Sequence, residues 1–196
     1  MMQDVVFEVR GNALPRDHAY SLFQALTGRL AWLEGEPGAG VHHIHGTVSA
    51  SGEIFLGQRA RLVLRLGAER AREALGLSGA KLDVGSGLEV GAGRIRELMP
   101  FATQYSHFVC TGTADEVEFL ERAAALLKGA GLACGMICGK ARVAQTPAGD
   151  VHGFSLLLHG LTMEQSIAVQ ESGLGSRREL GCGIFVPHKS LAAVGT

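Results

Sequence analysis

The same order of predicted elements occurs twice along this chain, and that repetition constrains the fold more than any other feature of the sequence. In the first half, the apolar pattern predicts strands at residues 5–9, 41–48 and 54–66, and a closing strand or hairpin at 82–95. Apolar residues at helical spacing between Ala19 and Leu33 predict a helix after the first strand, with Pro15 in its first turn. A shorter helix is predicted at residues 68–75, which gives the order βαββαβ.

The second half repeats this order after Pro100. Strands are predicted at residues 105–110, 133–143, 151–159 and 182–186. Two capping boxes, Thr113 with Glu116 and Thr162 with Gln165, predict where the two helices begin. Two successive βαββαβ units predict an α+β protein made of two tandem ferredoxin-like domains, residues 1–100 and 101–196.

Composition narrows the class of protein. Hydrophobic residues are 46% of the chain and charged residues 19%, which supplies ample apolar material for a packed core. No run approaches the ~20 apolar residues of a membrane-spanning helix, and the first residues do not resemble a signal peptide. We therefore expect a cytoplasmic protein that does not act on a membrane. The four cysteines form no C-x-x-C pair, which favours core thiols over a zinc site.

The arrangement of the arginines bears on nucleic-acid binding, because the formal net charge of −1 lacks the basic excess typical of such proteins. Arg59, Arg61 and Arg65 have the same parity on a predicted strand, and apolar residues occupy the other parity. This pattern predicts three guanidinium groups in a row, suited to a track of phosphates. An ordinary solvated sheet face is the alternative.

A glycine-rich segment near the C-terminus is the most specific motif. Glycines permit close approach of the backbone to a ligand, and two arginines among them suit an extended anion. The spacing fits neither the dinucleotide-binding fingerprint nor the P-loop. We therefore predict RNA binding by six residues of this segment: Gly173, Gly175, Arg177, Arg178, Gly181 and Gly183.

The histidines are the candidate catalytic residues. His42, His43 and His45 lie together in residues 41–46, and His18 and Tyr20 stand at the start of the first predicted helix. If residues 41–48 form a strand, His43 and His45 share one face and His42 lies on the other, so no three histidines converge on a metal ion. A metal site and general acid–base catalysis by imidazole, with an unperturbed pKa of ~6.5, remain the two alternatives.

Three stretches, residues 14–26, 40–46 and 161–187, resemble a known family. They are similar to the CRISPR-associated endoribonucleases that process repeat RNA, within the repeat-associated mysterious protein superfamily, and most similar to the Myxan-type branch. The resemblance spans nearly the whole chain, and the terminal glycine-rich motif is its most specific part. One position departs from the branch: Glu34 stands where a histidine can follow the Trp-Leu at the end of the first helix.

The resemblance implies a function. Such enzymes bind a repeat in the CRISPR transcript and cut it once without a metal or cofactor. The ribose 2′-OH attacks the phosphate and leaves a 2′,3′-cyclic phosphate and a 5′-OH. The expected partner is the repeat RNA, as precursor and as the 3′ hairpin of the mature CRISPR RNA, with other effector subunits as further partners and no direct contact with DNA.

The resemblance also implies site residues. The general base or acid maps to His42, His43 or His45, with His42 the best match to the family, and His18 and Tyr20 as the other candidates. If Ile44 faces the core, however, so does His42. Two other functions remain open: a non-catalytic RNA-binding subunit of an effector complex, and a metal-dependent enzyme that uses the histidines.

Overall fold

The computed structural model describes residues 1–189 and divides the chain into two compact units, Met1–Glu97 and Leu98–Thr196. Residues 190–196, the end of the second predicted domain, lie outside the described part. Each unit contains one βαββαβ arrangement with an antiparallel sheet. Within the described residues, no helix is long and apolar enough to cross a membrane.

The first unit contains eight strands and two α-helices. In chain order they are β1 (Met2–Arg10), β2 (Ala13–Pro15), α1 (Ala19–Thr27), β3 (Gly40–Val41), β4 (Thr47–Val48), β5 (Glu53–Phe55), β6 (Arg61–Gly67), α2 (Ala68–Ala74), β7 (Lys81–Leu82) and β8 (Leu88–Glu97). The main sheet has the order β3-β6-β1-β8-β7, and its first four strands have the ferredoxin-like order. The apolar residues of β1 and β6 that face the helices are fully buried, among them Phe7 and Leu64.

A small second sheet, of order β2-β5-β4, accounts for three differences from the sequence prediction. Pro15 ends strand β2 and does not open a helix. The predicted strand 41–48 is broken, because the amide of Ile44 donates to the imidazole of His18 and not to a neighbouring strand. The predicted strand 54–66 is two strands, β5 and β6, which pair in different sheets.

The second unit has four strands and two α-helices. They are β9 (Thr103–Val109), α3 (Glu116–Gly129), β10 (Gly135–Ala144), β11 (Val151–His159), α4 (Met163–Ser172) and β12 (Val186–Pro187). The sheet order β10-β11-β9-β12 is again ferredoxin-like. Its core joins both helices to the sheet through residues such as Phe119, Phe154 and Val169. The predicted α+β class with two ferredoxin-like units is confirmed.

The ends of the elements in this unit test the capping predictions. The box formed by Thr162 and Gln165 is confirmed at the start of α4. The box predicted at Thr113 is wrong, because Asp115 caps α3 and its carboxylate accepts from the amide of Glu118 at 2.9 Å. The strand predicted at 182–186 is also wrong over most of its length, since Gly183 lies in a turn with a φ of 66° and only β12 pairs with β9 as a strand.

Candidate functional site

His18 is a buried histidine that joins helix α1 to the segment 42–46. It stands immediately before α1, and only 1% of it is exposed. Its Nδ1 lies 2.9 Å from the carbonyl of Pro15, and its Nε2 accepts from the amide of Ile44 at 3.2 Å. Nδ1 therefore carries the proton and the ring is neutral. Burial lowers the pKa of His18 below its ordinary value, although the Pro15 carbonyl acts in the opposite direction.

His43 and His45 pack beside this buried ring. The ring centroids of His18 and His43 are 4.4 Å apart, and those of His43 and His45 are 5.1 Å apart with an edge-on orientation. His43 is half-buried, whereas His45 is exposed. His18, His43 and His45 therefore meet, a grouping that strand parity did not indicate because it treated 42–46 as a strand and left His18 out.

This cluster lacks the geometry of a metal site. Both ring nitrogens of His18 already face backbone groups, so neither can coordinate an ion. Over residues 1–189, no group of three histidine, cysteine, aspartate or glutamate side chains is arranged to hold a metal. The most exposed imidazole of the cluster is that of His45, with His43 next to it. Two adjacent imidazoles suit proton transfer near neutral pH.

His42 lies apart from the cluster, in a network built on Asp4. Its Nε2 is 3.6 Å from Asp4 Oδ1, and 14% of its side chain is exposed. The guanidinium of Arg65 donates to both Asp4 oxygens, at 2.8 and 3.2 Å, and Arg96 donates to Oδ2 at 3.0 Å. Asp4 stands directly opposite Arg65 on β6 and Arg96 on β8, so the sheet register places these groups together.

The charges of this network determine the ionisation of Asp4. Burial by itself would raise the pKa of Asp4, but the imidazole of His42 beside it and the hydrogen bonds and charge of Arg65 hold that pKa well below its usual range. Asp4 is therefore ionised and balances the fully buried Arg65. Sequence reasoning missed this residue. The available signal was an acid inside a strongly apolar strand, a position that needs a cationic partner.

The predicted row of three arginines is not present. Arg65 is 0% exposed and bound to Asp4, so its guanidinium cannot contact a phosphate. Arg59 is exposed, but it lies in the turn before β6. Arg61 is half-buried, and its Nη1 donates to the carbonyls of Gln58 and Ala60. Parity correctly placed Arg61 and Arg65 on one face, but could not show that a carboxylate occupies it.

The same face carries two arginines that sequence reasoning did not select. Arg94 and Arg96 are two residues apart on β8, and both are exposed. Arg96 keeps 53% of its side chain exposed while one nitrogen is held by Asp4. An exposed guanidinium fixed at one nitrogen presents its remaining donors in a defined direction, which suits a phosphate oxygen.

Tyr20, the other candidate at the start of α1, is half-buried in the first turn of that helix. It lies two residues from His18. The structure gives no contact that joins its hydroxyl to the histidine cluster.

The glycine-rich segment is held against its own unit, which contradicts the expectation that its amides are open to a ligand. The amides of Gly173, Gly181 and Gly183 donate to the carbonyls of Val169, Arg178 and Phe108. A Cβ at residue 175 would overlap the carbonyl of Cys110, and one at 183 would overlap the carbonyl of Leu174. These glycines are therefore needed for close packing of the segment on the end of β9.

A substitution at Gly183 tests this packing role. We expect Gly183→Ala to destabilise the second unit by more than about 2 kcal/mol, because Gly183 has a φ of 66° and no room for a methyl group. Gly129→Ala at the end of α3 is the control, since nothing lies within 4 Å of its Cβ position. Urea unfolding measures both, and equal stability of the two variants would contradict the role.

The two arginines of this segment differ. The guanidinium nitrogens of Arg178 are buried, with one against Gly173, so the structure does not present Arg178 to a ligand as the sequence analysis expected. Arg177 is exposed, adopts a left-handed φ of 66°, and has its Nε 2.9 Å from Glu179. It lines a cavity of about 300 Å³ together with Asp150 and His152. Arg177 is the accessible cation of the motif.

Comparison with known proteins identifies the family. Residues 3–190 match the model of the family described as Cas6 Crispr. The chain belongs to the Cas6 family. A curated relative from Myxococcus xanthus (strain DK1622), named CRISPR-associated endonuclease Cas6, is 35% identical over 193 residues, which are 97% of this chain and 84% of the relative. The resemblance to CRISPR repeat-processing enzymes is therefore confirmed.

Solved structures agree with the Cas6 fold. A structure described as CRISPR associated protein Cas6 superposes with a TM-score of 0.70 at 15% identity and covers 96% of this chain and 100% of that one. A second, described as an RAMP protein binding different RNA substrates, has a TM-score of 0.70 at 13% identity and covers 95% and 100%. At these identities the likeness shows the fold alone.

Proposed function

We propose that this Cas6 chain is a metal-independent endoribonuclease that binds CRISPR repeat RNA and cleaves it by attack of a ribose 2′-OH. The supporting observation is the exposed imidazole of His45, packed against His43 on the buried neutral ring of His18. The name of the M. xanthus relative, an endonuclease, agrees with this chemistry. The products are a 2′,3′-cyclic phosphate and a 5′-OH.

The reaction needs two proton transfers. A base removes the proton of the 2′-OH, the oxygen attacks the adjacent phosphorus in line, and an acid gives a proton to the departing 5′-oxygen. His43 and His45 supply these two functions in our proposal. His18 holds these two residues in place. It stands at the start of α1, and its neutral ring accepts from the amide of Ile44, which lies between His43 and His45 in the chain.

His42 has a different place in this proposal, although the family resemblance favours it as the base. It is held against Asp4, and 14% of its side chain is exposed. We therefore assign it to the network that orients Arg96. The guanidinium of Arg96 is suited to the extra negative charge of the phosphorane.

RNA binding depends on exposed cations in both units. In the first unit these are Arg59, Arg94 and Arg96, together with the half-buried Arg61, and in the second Arg177. They provide local positive charge in a chain whose net charge is −1. A hairpin recognised by shape, with contacts to its unpaired flank, fits how proteins bind RNA.

Arg177 is the test of the glycine-rich segment in RNA binding. We expect Arg177→Gln to weaken binding of the repeat RNA and to reduce the salt dependence by about 0.7–0.9 in slope, the share of one phosphate contact. Arg72→Gln is the control, because Arg72 is also exposed but lies on α2. Filter binding at several salt concentrations measures both, and an unchanged slope for Arg177→Gln would exclude the contact.

Cleavage in a chelator tests the proposed function itself. We expect the purified protein to cut its repeat RNA once and to leave a cyclic phosphate. The rate in EDTA should equal the rate without EDTA. Binding without cutting would favour a non-catalytic subunit of an effector complex. Activity lost in EDTA and restored by zinc or manganese would favour a metal enzyme.

The same proposal extends to the product RNA and to other proteins. We infer that the protein stays on the 3′ hairpin after cutting, acts in the cytoplasm where the transcript is made, and associates with other effector subunits. After cleavage, gel filtration should show one mature RNA eluting with each protein chain. Full release of the product would contradict retention.

A further inference from the structure

Phe55 is an exposed aromatic residue on a fixed strand. The chain has eight phenylalanines, and six of them are 9% exposed or less. Phe55 is 49% exposed and Phe101 is 42% exposed. Within residues 1–189, no other aromatic ring packs against that of Phe55. An exposed phenyl ring held by backbone pairing on both sides offers a flat apolar surface to a ligand.

The position of Phe55 links it to the histidines. It lies in β5, the central strand of the small sheet, and pairs with Ala13 of β2 and Thr47 of β4. Strand β4 continues directly from the segment that contains His45, two residues before Thr47. The segment lies beside β5 at this point, because a Cβ at Gly46 would overlap the carbonyl of Phe55. Ile54 is 3% exposed and points to the opposite face, so Phe55 points away from the core.

The neighbours of Phe55 include charges of both signs. Glu53 shares its face two residues earlier in β5. Exposed Arg16 follows β2, and exposed Arg59 follows β5. A flat phenyl ring suits a neutral base, and two exposed guanidinium groups in the segments that flank the sheet suit the phosphates of the same strand. Glu53 disfavours a phosphate directly over the sheet.

Cleavage by a 2′-OH places a geometric requirement on the nucleotide at the cut. The 2′-OH must reach a position in line with the departing oxygen, which requires the nucleotide at the cut to leave regular stacking. Proteins that read RNA hold such displaced bases on aromatic rings. We propose that Phe55 stacks on the unpaired base beside the scissile phosphate and so positions the RNA for His45. The proposal rests on the endoribonuclease function given above.

A double-mutant cycle, with substitutions at Phe55 and removal of single bases from the RNA, tests the stacking. The protein variants are Phe55→Ala and Phe55→Trp, with Val48→Ala as control, because Val48 is 54% exposed on the adjacent strand. The RNAs are the intact repeat and two repeats that carry an abasic ribonucleotide, one on each side of the cut. Phe55→Ala should slow cleavage of intact RNA by about 5- to 150-fold, the usual effect of a lost base–aromatic stack.

Three results are expected together. Phe55→Trp retains the rate, Val48→Ala retains the rate, and Phe55→Ala causes no further loss on one of the two abasic RNAs. Equal losses by Phe55→Ala on intact RNA and on both abasic RNAs would overturn the proposal, since the ring would then not act through a base. Thermal melting of each variant shows whether the small sheet is intact.

Binding to an RNA that cannot be cut separates this inference from the proposed activity. The same cycle is measured as affinity for repeats with a 2′-deoxy nucleotide at the cut. A coupling between Phe55 and the base in affinity supports stacking even if the wild-type protein does not cleave. No coupling in affinity or rate, with wild-type cleavage intact in EDTA, overturns the stacking and leaves the enzyme function standing.

Discussion

Replacing His45 by alanine should reduce the single-turnover cleavage rate by about 10²–10⁴-fold, the usual contribution of a general acid or base. The affinity for repeat RNA should stay close to that of the wild type, because a single imidazole contributes little to the binding of a polyanion that many phosphate contacts hold. His45 is the exposed member of the cluster, so its loss leaves the packing of His43 on His18 in place. Cleavage of radiolabelled repeat RNA at protein excess measures the rate.

The other histidines provide the comparison for this prediction. His43→Ala should give a loss of the same order, and the double variant should lose little more than either single one, since the two act in one step. His18→Ala should lower the melting temperature, because the amide of Ile44 loses its buried acceptor. Imidazole added to the buffer should partly restore His45→Ala. If single replacement of each histidine from 18 to 45 leaves the rate unchanged, the assignment is wrong.

Replacing Asp4 by alanine should destabilise the first unit by about 3–5 kcal/mol, because Arg65 would remain buried and charged without its counter-ion. Glu8→Ala is the matched control on the same strand: Glu8 is exposed opposite Arg61, and its loss should change stability by about 0.5 kcal/mol or less. Urea unfolding followed by circular dichroism measures the difference. An Asp4→Ala protein as stable as Glu8→Ala would show that the network contributes nothing.

If Asp4→Ala does not fold, the double variant Asp4→Leu with Arg65→Met still allows the free energy of unfolding to be measured. Removing both charges should recover most of the lost stability. It should also change the response to acid. The folded-state pKa of Asp4 lies below its unfolded value of ~3.9, so the stability it contributes is present above that pH and is lost as the pH falls toward the folded value. The wild type should therefore lose more stability than the double variant below about pH 4.

The order of elements and the family were accessible from the sequence because both depend on local patterns. Apolar spacing gave the two βαββαβ units, and the Thr162 capping box gave the start of α4. The terminal motif was found from its glycines. The sequence analysis explained these glycines by close approach of a ligand, whereas the structure shows that they permit close packing of the segment. The carbonyls of Cys110 and Leu174 occupy the space where a Cβ at residues 175 and 183 would lie. Those carbonyls are brought there by tertiary packing.

The candidate site was predicted only in part, since face assignments depend on whether a segment is a strand. The amide of His42 still donates to Val63 of β6, but residues 43–46 leave the sheet, because the amide of Ile44 donates to His18, a residue 26 positions earlier. That long-range bond brings His18 to His43 and leaves His42 with Asp4. Strand parity alone could not reveal a contact that a helix end and a loop make together.

By itself, the sequence determined that this chain forms two ferredoxin-like units, belongs to a family of CRISPR proteins, and has its acid–base candidates between residues 18 and 45. The tertiary structure decided which of those groups are accessible. Arg65 lies on a predicted exposed face, yet it is fully buried because Asp4, 61 residues away, stands opposite it across the sheet. Local periodicity fixes the direction of a side chain, but only the partner strand fixes whether water, a carboxylate or a ligand meets it there.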